Sequence, residues 1–425
     1  MSSLPTEQTP LLNGHANNGF SHRLSRFLKP QDQPGWISSF RFFFFGSWLN
    51  ILLVFIPLSI LSHYANWDAA LRFSFSFIAI MPLAALLGTA TEQLSFRLGQ
   101  TLSGLLNASF GNAVEIIVGI AALMQGELRI VQTSLLGSIL SNLLLVLGCS
   151  FLAGGLKFPE SNFQVTAAQA SSSLMTLACI TLVIPAAYHS AKSRGGIDDS
   201  DGLYHTWQVV DGSDLDDKSN YGLRIISRGT AILLLGVYIA YLYFQLRSHA
   251  YLFVEPEVEV ESQSTTVEEE EESQMSVPAA AVGLLGATVV TSFCADFLVA
   301  SIEETAERYS IPKPFIGLIL LPIVANAAEH VTSVWMAMKG KMELTIGICV
   351  GSSIQIAAFV IPLLVIVGWI SHHDLTLFFA DFETVVLFVS VLLVNFLIQD
   401  GKSNYMEGLM LITLYLVIAL AFWVS

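Results

Sequence analysis

The sequence predicts an all-α polytopic membrane protein, and three observations carry the prediction. Only 12% of the 425 residues are charged while 53% are hydrophobic, where soluble domains carry roughly 25% charged residues. The apolar residues are gathered into runs long enough for a hydrocarbon core, which is about 30 Å thick and takes roughly 20 residues per helix. Two of these runs also repeat one polar pattern at a fixed separation.

A polar tail, 1–36, opens the chain. It contains "EQTPLL", Glu7 to Leu12, which has the form of an acidic dileucine sorting signal. The first apolar run, 37–62, is longer than the hydrophobic region of a cleaved leader and follows a polar stretch, so it reads as a membrane helix. This first transmembrane unit, 37–63, stands outside the repeat. Runs at 69–90, 102–124, 130–154, 165–189 and 225–245 make a first half, 69–245. Runs at 277–302, 311–338, 343–370, 376–398 and 407–424 make a second, 277–424. The total is about eleven spans.

The formal charge of −15 is local. Between the halves, 246–276 holds Glu255, Glu257, Glu259, Glu261, Glu268, Glu269, Glu270, Glu271 and Glu272 with no Lys or Arg among them. Such a block reads as a solvated linker, or as a regulatory segment that attracts cations at a pore mouth. Short loops carrying Arg23, Arg26, Lys29, Arg97, Lys157, Arg247, Lys339, Lys341 and Lys402 fall on one side, which favours a cytosolic N-terminus and a cytosolic linker. The cysteines, Cys149, Cys179, Cys294 and Cys349, sit in apolar runs without metal spacing and are expected as core residues.

Sliding the chain along itself by 214 residues lays "GNAVEIIVGIAALMQGELRIVQTSLLGS" without a gap on "ANAAEHVTSVWMAMKGKMELTIGICVGS". Asn112 meets Asn326, Glu115 meets Glu329, Gly126 meets Gly340, Gly137 meets Gly351 and Ser138 meets Ser352. Small residues coincide easily in membrane helices; an Asn and a Glu three apart inside an apolar run do not. A carboxylate near the bilayer centre costs roughly 2.5–3.5 kcal/mol on insertion scales, so the pair points to a used site. The i, i+3 spacing puts Asn112 beside Glu115 and Asn326 beside Glu329. Five spans per half is an odd number, so the halves are expected as inverted-topology repeats with a site at the midplane.

Two facing glutamates with amide, hydroxyl and carbonyl oxygens form a hard-oxygen site for calcium, manganese or magnesium. Asn112, Asn326, Ser138, Ser352 and Gln355 are candidate further ligands. Close carboxylates resist joint ionisation, so a cation and protons would exclude each other there. A site holding either, exposed alternately to two sides, is that of an antiporter. His330, which titrates near neutral pH, is read as a group for proton transfer or pH response. Asp296, Glu303, Glu304, Asp381 and Glu383 lie near span ends and are expected to be solvated at the interface.

"GNAVEIIVGIAAL" and "ANAAEHVTSVW", with "SSIQIA" and "LIQDGKSNYMEG", resemble the signature repeats of the cation/proton exchangers of the calcium/cation antiporter superfamily, most of all fungal vacuolar calcium/proton exchangers. The resemblance runs from about residue 40 to 424. It implies proton-driven export of calcium, and of manganese, from cytosol into an acidic vacuole, with no cofactor. It further implies that Glu115 and Glu329 coordinate the cation, that backbone carbonyls at Gly111 and Ala325 complete the site with the serines and the glutamine, and that His330 affects transport. The acidic stretch is implied to be cytosolic. The partners expected are calcium, protons and the lipid bilayer, with no nucleic acid.

Ala325 departs from the pattern, which has glycine there. Alanine favours continuous helix over glycine by about 1 kcal/mol, so this half is expected to be stiffer. A sodium-coupled calcium exchanger and a cation channel are the alternatives on this fold. An intramembrane hydrolase is not supported, because the histidines lack HExxH spacing.

Overall fold

The computed structural model describes residues 34–194, 212–249 and 273–424. The motif at Glu7–Leu12 and the acidic run Glu255–Glu272 lie outside the described residues. Elsewhere the chain is almost entirely helical.

Helix α1, Trp36–Phe45, meets α2, Trp48–Tyr64, at 88°, where the sequence predicts one span. The turn is built from small residues that hydropathy does not register. Gly46 donates its N–H to Phe42 O at 2.7 Å, and a Cβ on Gly46 would fall 2.6 Å from the same oxygen. Ser47 is extended and its hydroxyl accepts from Leu49 N at 3.3 Å.

Helix α3, Ala69–Phe110, begins with Asp68 capping Ala70 N at 3.0 Å. It joins two segments that the sequence separates. The Ser103 hydroxyl donates to the Ser95 carbonyl eight residues back. Eight residues of straight helix rise about 12 Å, so the chain folds sharply between them. The helix then breaks at Asn112, and α4 covers Ala113–Met124.

Next come α5, Leu128–Lys157, with a π-helical stretch at Ser141–Val146; α6, Val165–Arg194; and α7, Gly212–Tyr243, prolonged by a π turn, Phe244–Ser248. The second half has α8, Val277–Tyr309; α9, Lys313–Ala325; α10, Ala327–Met338; and α11, Met342–Ile370, with a π stretch at Ile356–Val360. Helices α12, Asp381–Leu397, and α13, Tyr405–Val424, end the described chain. A two-residue antiparallel pairing, Ser161–Asn162 with Lys402–Ser403, ties the start of α6 to the start of α13.

Among the described residues seven helices are long and apolar enough to cross a membrane, or nine if each bent pair is one span. At 12 and 17 residues, α4 and α12 are shorter. Burial places α5 and α11 at the centre: the most apolar windows of their spans are 83% and 61% buried, against 22% for that of α7 and 28% for that of α13. Cys179, Cys294 and Cys349 are buried and Cys149 is half-buried, all with free thiols, as expected of core residues.

The backbone carries the duplication. At the 214-residue offset α4 and α10 begin and end together. The turns that follow use Gly126 and Gly340 at φ 80° and 78°, left-handed values that glycine adopts without a steric cost.

Candidate cation site

The two helix breaks bring the repeated polar residues together. The dihedrals leave the helix at the asparagines: Asn112 has φ −109° and ψ 36°, Asn326 φ −88° and ψ 10°. Gly111 itself is helical, at φ −58° and ψ −38°. Its lack of a Cβ serves space, because a Cβ there would fall 2.5 Å from Asn107 O and 3.5 Å from Gln355 Oε1. With Ala325 in place α9 and α10 still meet at 58°, and the backbone leaves helical dihedrals at Asn326.

Glu115 and Glu329 lie in the first turns of α4 and α10, and both line one cavity of about 830 Å³. Gly111, Ala325, Ser352 and Gln355 line the same cavity. So do Glu92 and Glu343, which the sequence reading missed. Among the described residues the lining thus holds four glutamates and no Lys, Arg or His, a field that selects for cations. At the repeat offset Glu343 answers to Arg129, a sign reversal that comparison of the halves could have exposed.

Behind the cavity the halves are laced together. Asn112, fully buried, donates to Gln355 Oε1 at 2.6 Å and accepts from the Ser352 hydroxyl at 2.9 Å. Asn142 Nδ2 donates to Ser352 Oγ at 3.0 Å, and Asn326 Nδ2 to the Ser138 carbonyl at 3.3 Å. Several buried oxygens are left without a partner: Glu329 Oε2, Asn142 Oδ1, Asn326 Oδ1 and Ser141 Oγ. Buried polar atoms are normally paired; of these four residues only Glu329 lines the large cavity, and when ionised its free oxygen can only accept, as a hard cation requires. Among the described residues no three His, Cys, Asp or Glu side chains cluster; the oxygens come mainly from amides, hydroxyls and backbone around two carboxylates.

Ser138 lies off the large cavity and lines a second one of about 20 Å³ with Glu115, Pro322 and Ala325, room for about one water. His330 is half-buried and does not line the large cavity, although its neighbours Glu329 and Val331 do. Glu383 corrects another expectation: it is 1% exposed and paired with Arg129, not solvated. Glu304 pairs with Arg72, and Glu303 with Lys313 at 2.7 Å.

The cavity opens towards one end. Its lining takes in Glu92 and Ser95 of α3, Gln164 before α6, Gln245 after α7 and Glu343 of α11, all at the helix ends on the side from which the segment between the halves leaves. On the opposite side ion pairs join the halves: Arg72 with Glu304, Asp68 with Arg308 at 2.5 Å, Arg129 with Glu383, and Asp374 with Arg224 and Arg228 at 2.7 and 3.0 Å.

This fold and site define a helical, multi-pass membrane protein built around a duplicated, oxygen-rich centre. The sodium/calcium exchanger protein family model matches residues 68–247 and 279–424. The chain belongs to that family. It is 43% identical over 417 residues to a vacuolar calcium ion transporter of Schizosaccharomyces pombe, covering 98% of this chain and 93% of that protein. It is 42% identical over 408 residues to vacuolar cation/proton exchanger 3 of Oryza sativa subsp. japonica, covering 95% and 91%. The native YfkE structure superposes with a TM-score of 0.70 at 33% identity, covering 89% of this chain and 100% of YfkE.

Proposed function

We propose that the chain is a calcium/proton antiporter of the vacuolar membrane, which carries calcium, and manganese with it, from the cytosol into an acidic compartment. The observation that carries the reading is the pair Glu115 and Glu329, one from each broken helix, lining one cavity that among the described residues holds no basic side chain. When both are ionised they bind the cation; when it leaves, protons replace it, since two close buried carboxylates do not both stay charged in a weakly solvated site. Gly111 and Ala325 carbonyls, Ser138, Ser352 and Gln355 supply further oxygens, while Asn112 and Asn326 hold the breaks in place. His330, beside Glu329 but off the cavity, tunes the pH response through the helix that carries Glu329.

The names of the relatives support this reading, as does YfkE, which is described as a Ca2+/H+ antiporter. The two halves are inverted-topology repeats in an eleven-span chain, and the matched bounds of α4 and α10 support that relation. With the N-terminus and the acidic linker in the cytosol, the open cavity faces the cytosol. Glu255–Glu272, which lies outside the described residues, acts in this reading as a cytosolic cation-attracting regulatory segment.

The test is calcium uptake into sealed vesicles with an inside-acidic gradient and no sodium. Uptake should collapse when a protonophore dissipates the gradient. Uptake that persists, or that appears only with a sodium gradient, overturns the proton-coupled reading.

A further inference from the structure

Two equivalent places in the duplicated chain are packed differently. On α5, Thr133 and Gly137, one helical turn apart, lie against the π stretch of α9, Ile316–Leu320. The approach reaches backbone. A Cβ on Gly137 would fall 2.1 Å from the Leu318 carbonyl oxygen, and one on Gly317 would fall 2.0 Å from the Thr133 hydroxyl. Neither position has room for a larger residue in this packing.

The residues 214 positions on are Gly347 and Gly351 of α11. A Cβ on either would meet nothing within 4 Å. Gly347 lines the open cavity, and so do Ser103 and Gly104 of α3, the counterparts of Gly317 and Leu318. One seam is shut; its duplicate borders open space.

We infer that Gly347 and Gly351 close onto Ser103 and Gly104 when the cavity shuts, while Thr133 and Gly137 part from Gly317 and Leu318 to open the other side. The inference rests on the alternating-access reading above and adds the surfaces that exchange. Each seam glycine directly precedes a repeated serine, Gly137 before Ser138 and Gly351 before Ser352, so closing a seam withdraws that serine from water. Small residues are needed because two helix backbones must come into contact and then separate. On the open side the flexible end of Leu246 lies over Gly104, with Cδ2 2.5 Å from where a Cβ would stand, and it must swing aside.

The test pairs Gly104→Cys with Gly351→Cys in the full chain after the four natural cysteines are replaced. Oxidation during turnover should form a disulfide, reduce uptake by more than about tenfold and be reversed by reductant. Uptake that continues under oxidation with no disulfide overturns the inference. If the pair does not insert, Gly351→Val serves: the valine fits the open space, so calcium binding should persist while uptake falls about tenfold or more. Near-normal uptake by that variant would also overturn it. The antiport reading is judged separately, on the gradient dependence of the cysteine-replaced parent; should the parent ignore the gradient, that reading fails and the crosslinking result stands.

Discussion

The Ser352 hydroxyl donates a 2.9 Å hydrogen bond to Asn112 across the two halves, and the counterpart crossing runs from Asn326 to the Ser138 carbonyl at 3.3 Å. Each helix break is fastened to the repeated serine of the other half. Asn112 makes two such bonds to side chains, so Asn112→Ala strands both Ser352 and Gln355 at a cost of about 1–3 kcal/mol. Asn326→Ala removes one long bond and should cost less. Thermal unfolding in detergent checks the order; an equal loss of stability in the two variants contradicts it.

On the proposed mechanism, charge at Glu115 and Glu329 sets cation binding. Glu115→Gln or Glu329→Gln keeps the shape and removes one charge, so uptake should fall to background while the protein still inserts. In the parent protein calcium must displace protons, so its apparent affinity should rise with pH, by up to about tenfold per unit for each proton displaced. Either glutamine variant should flatten that slope. Calcium binding that is indifferent to pH in the parent would remove the competition from the mechanism.

The ion pairs opposite the cavity differ in burial and should differ in weight. Glu304 is 53% exposed and Glu383 1%. Removing the Arg72 charge leaves Glu304 half in water, so Arg72→Gln should cost about 0–1 kcal/mol. Arg129→Gln leaves the Glu383 carboxylate buried beside a neutral partner and should cost about 3–5 kcal/mol. Calorimetry or fluorescence melting of the two variants decides; comparable losses would mean that burial does not rank these pairs.

Position 111 and position 325 should respond unequally to the same exchange. Gly111→Ala places a Cβ against Asn107 O and beside Gln355, and should slow uptake several-fold, of the order of one kcal/mol. Ala325→Gly should change the rate much less, because the bend at Asn326 is already present. Initial rates of uptake at saturating calcium test this, and a larger effect at Ala325 would restore the importance of the missing glycine.

The helical, multi-pass character and the pairing of the repeated polar residues were legible because both depend on composition and on polar residues placed against the hydropathy. Asn112, Glu115, Asn326 and Glu329 stood out for that reason, and the structure brings them together. The right angle at Gly46 and the fold-back between Ser95 and Ser103 were not legible. Each is made by small or hydroxyl side chains whose backbone bonding, rather than their polarity, turns the chain. Glu92 and Glu343 sit near the ends of apolar runs, where a carboxylate in water and one in a cavity look alike. Glu383 shows the converse: only the fold supplies Arg129, 254 residues away, to make burial tolerable.

The sign reversal between Arg129 and Glu343 has a thermodynamic limit as well as a kinetic effect. Among the described residues the open cavity is lined by carboxylates, while on the opposite side arginines are paired with carboxylates, so cations should be captured faster from the acidic mouth. A fixed charge beside a path alters capture and escape in proportion and leaves the overall equilibrium unchanged. The asymmetry can therefore set how quickly a low calcium concentration is cleared, while the steepness of the final gradient is left to the driving ion and the number exchanged.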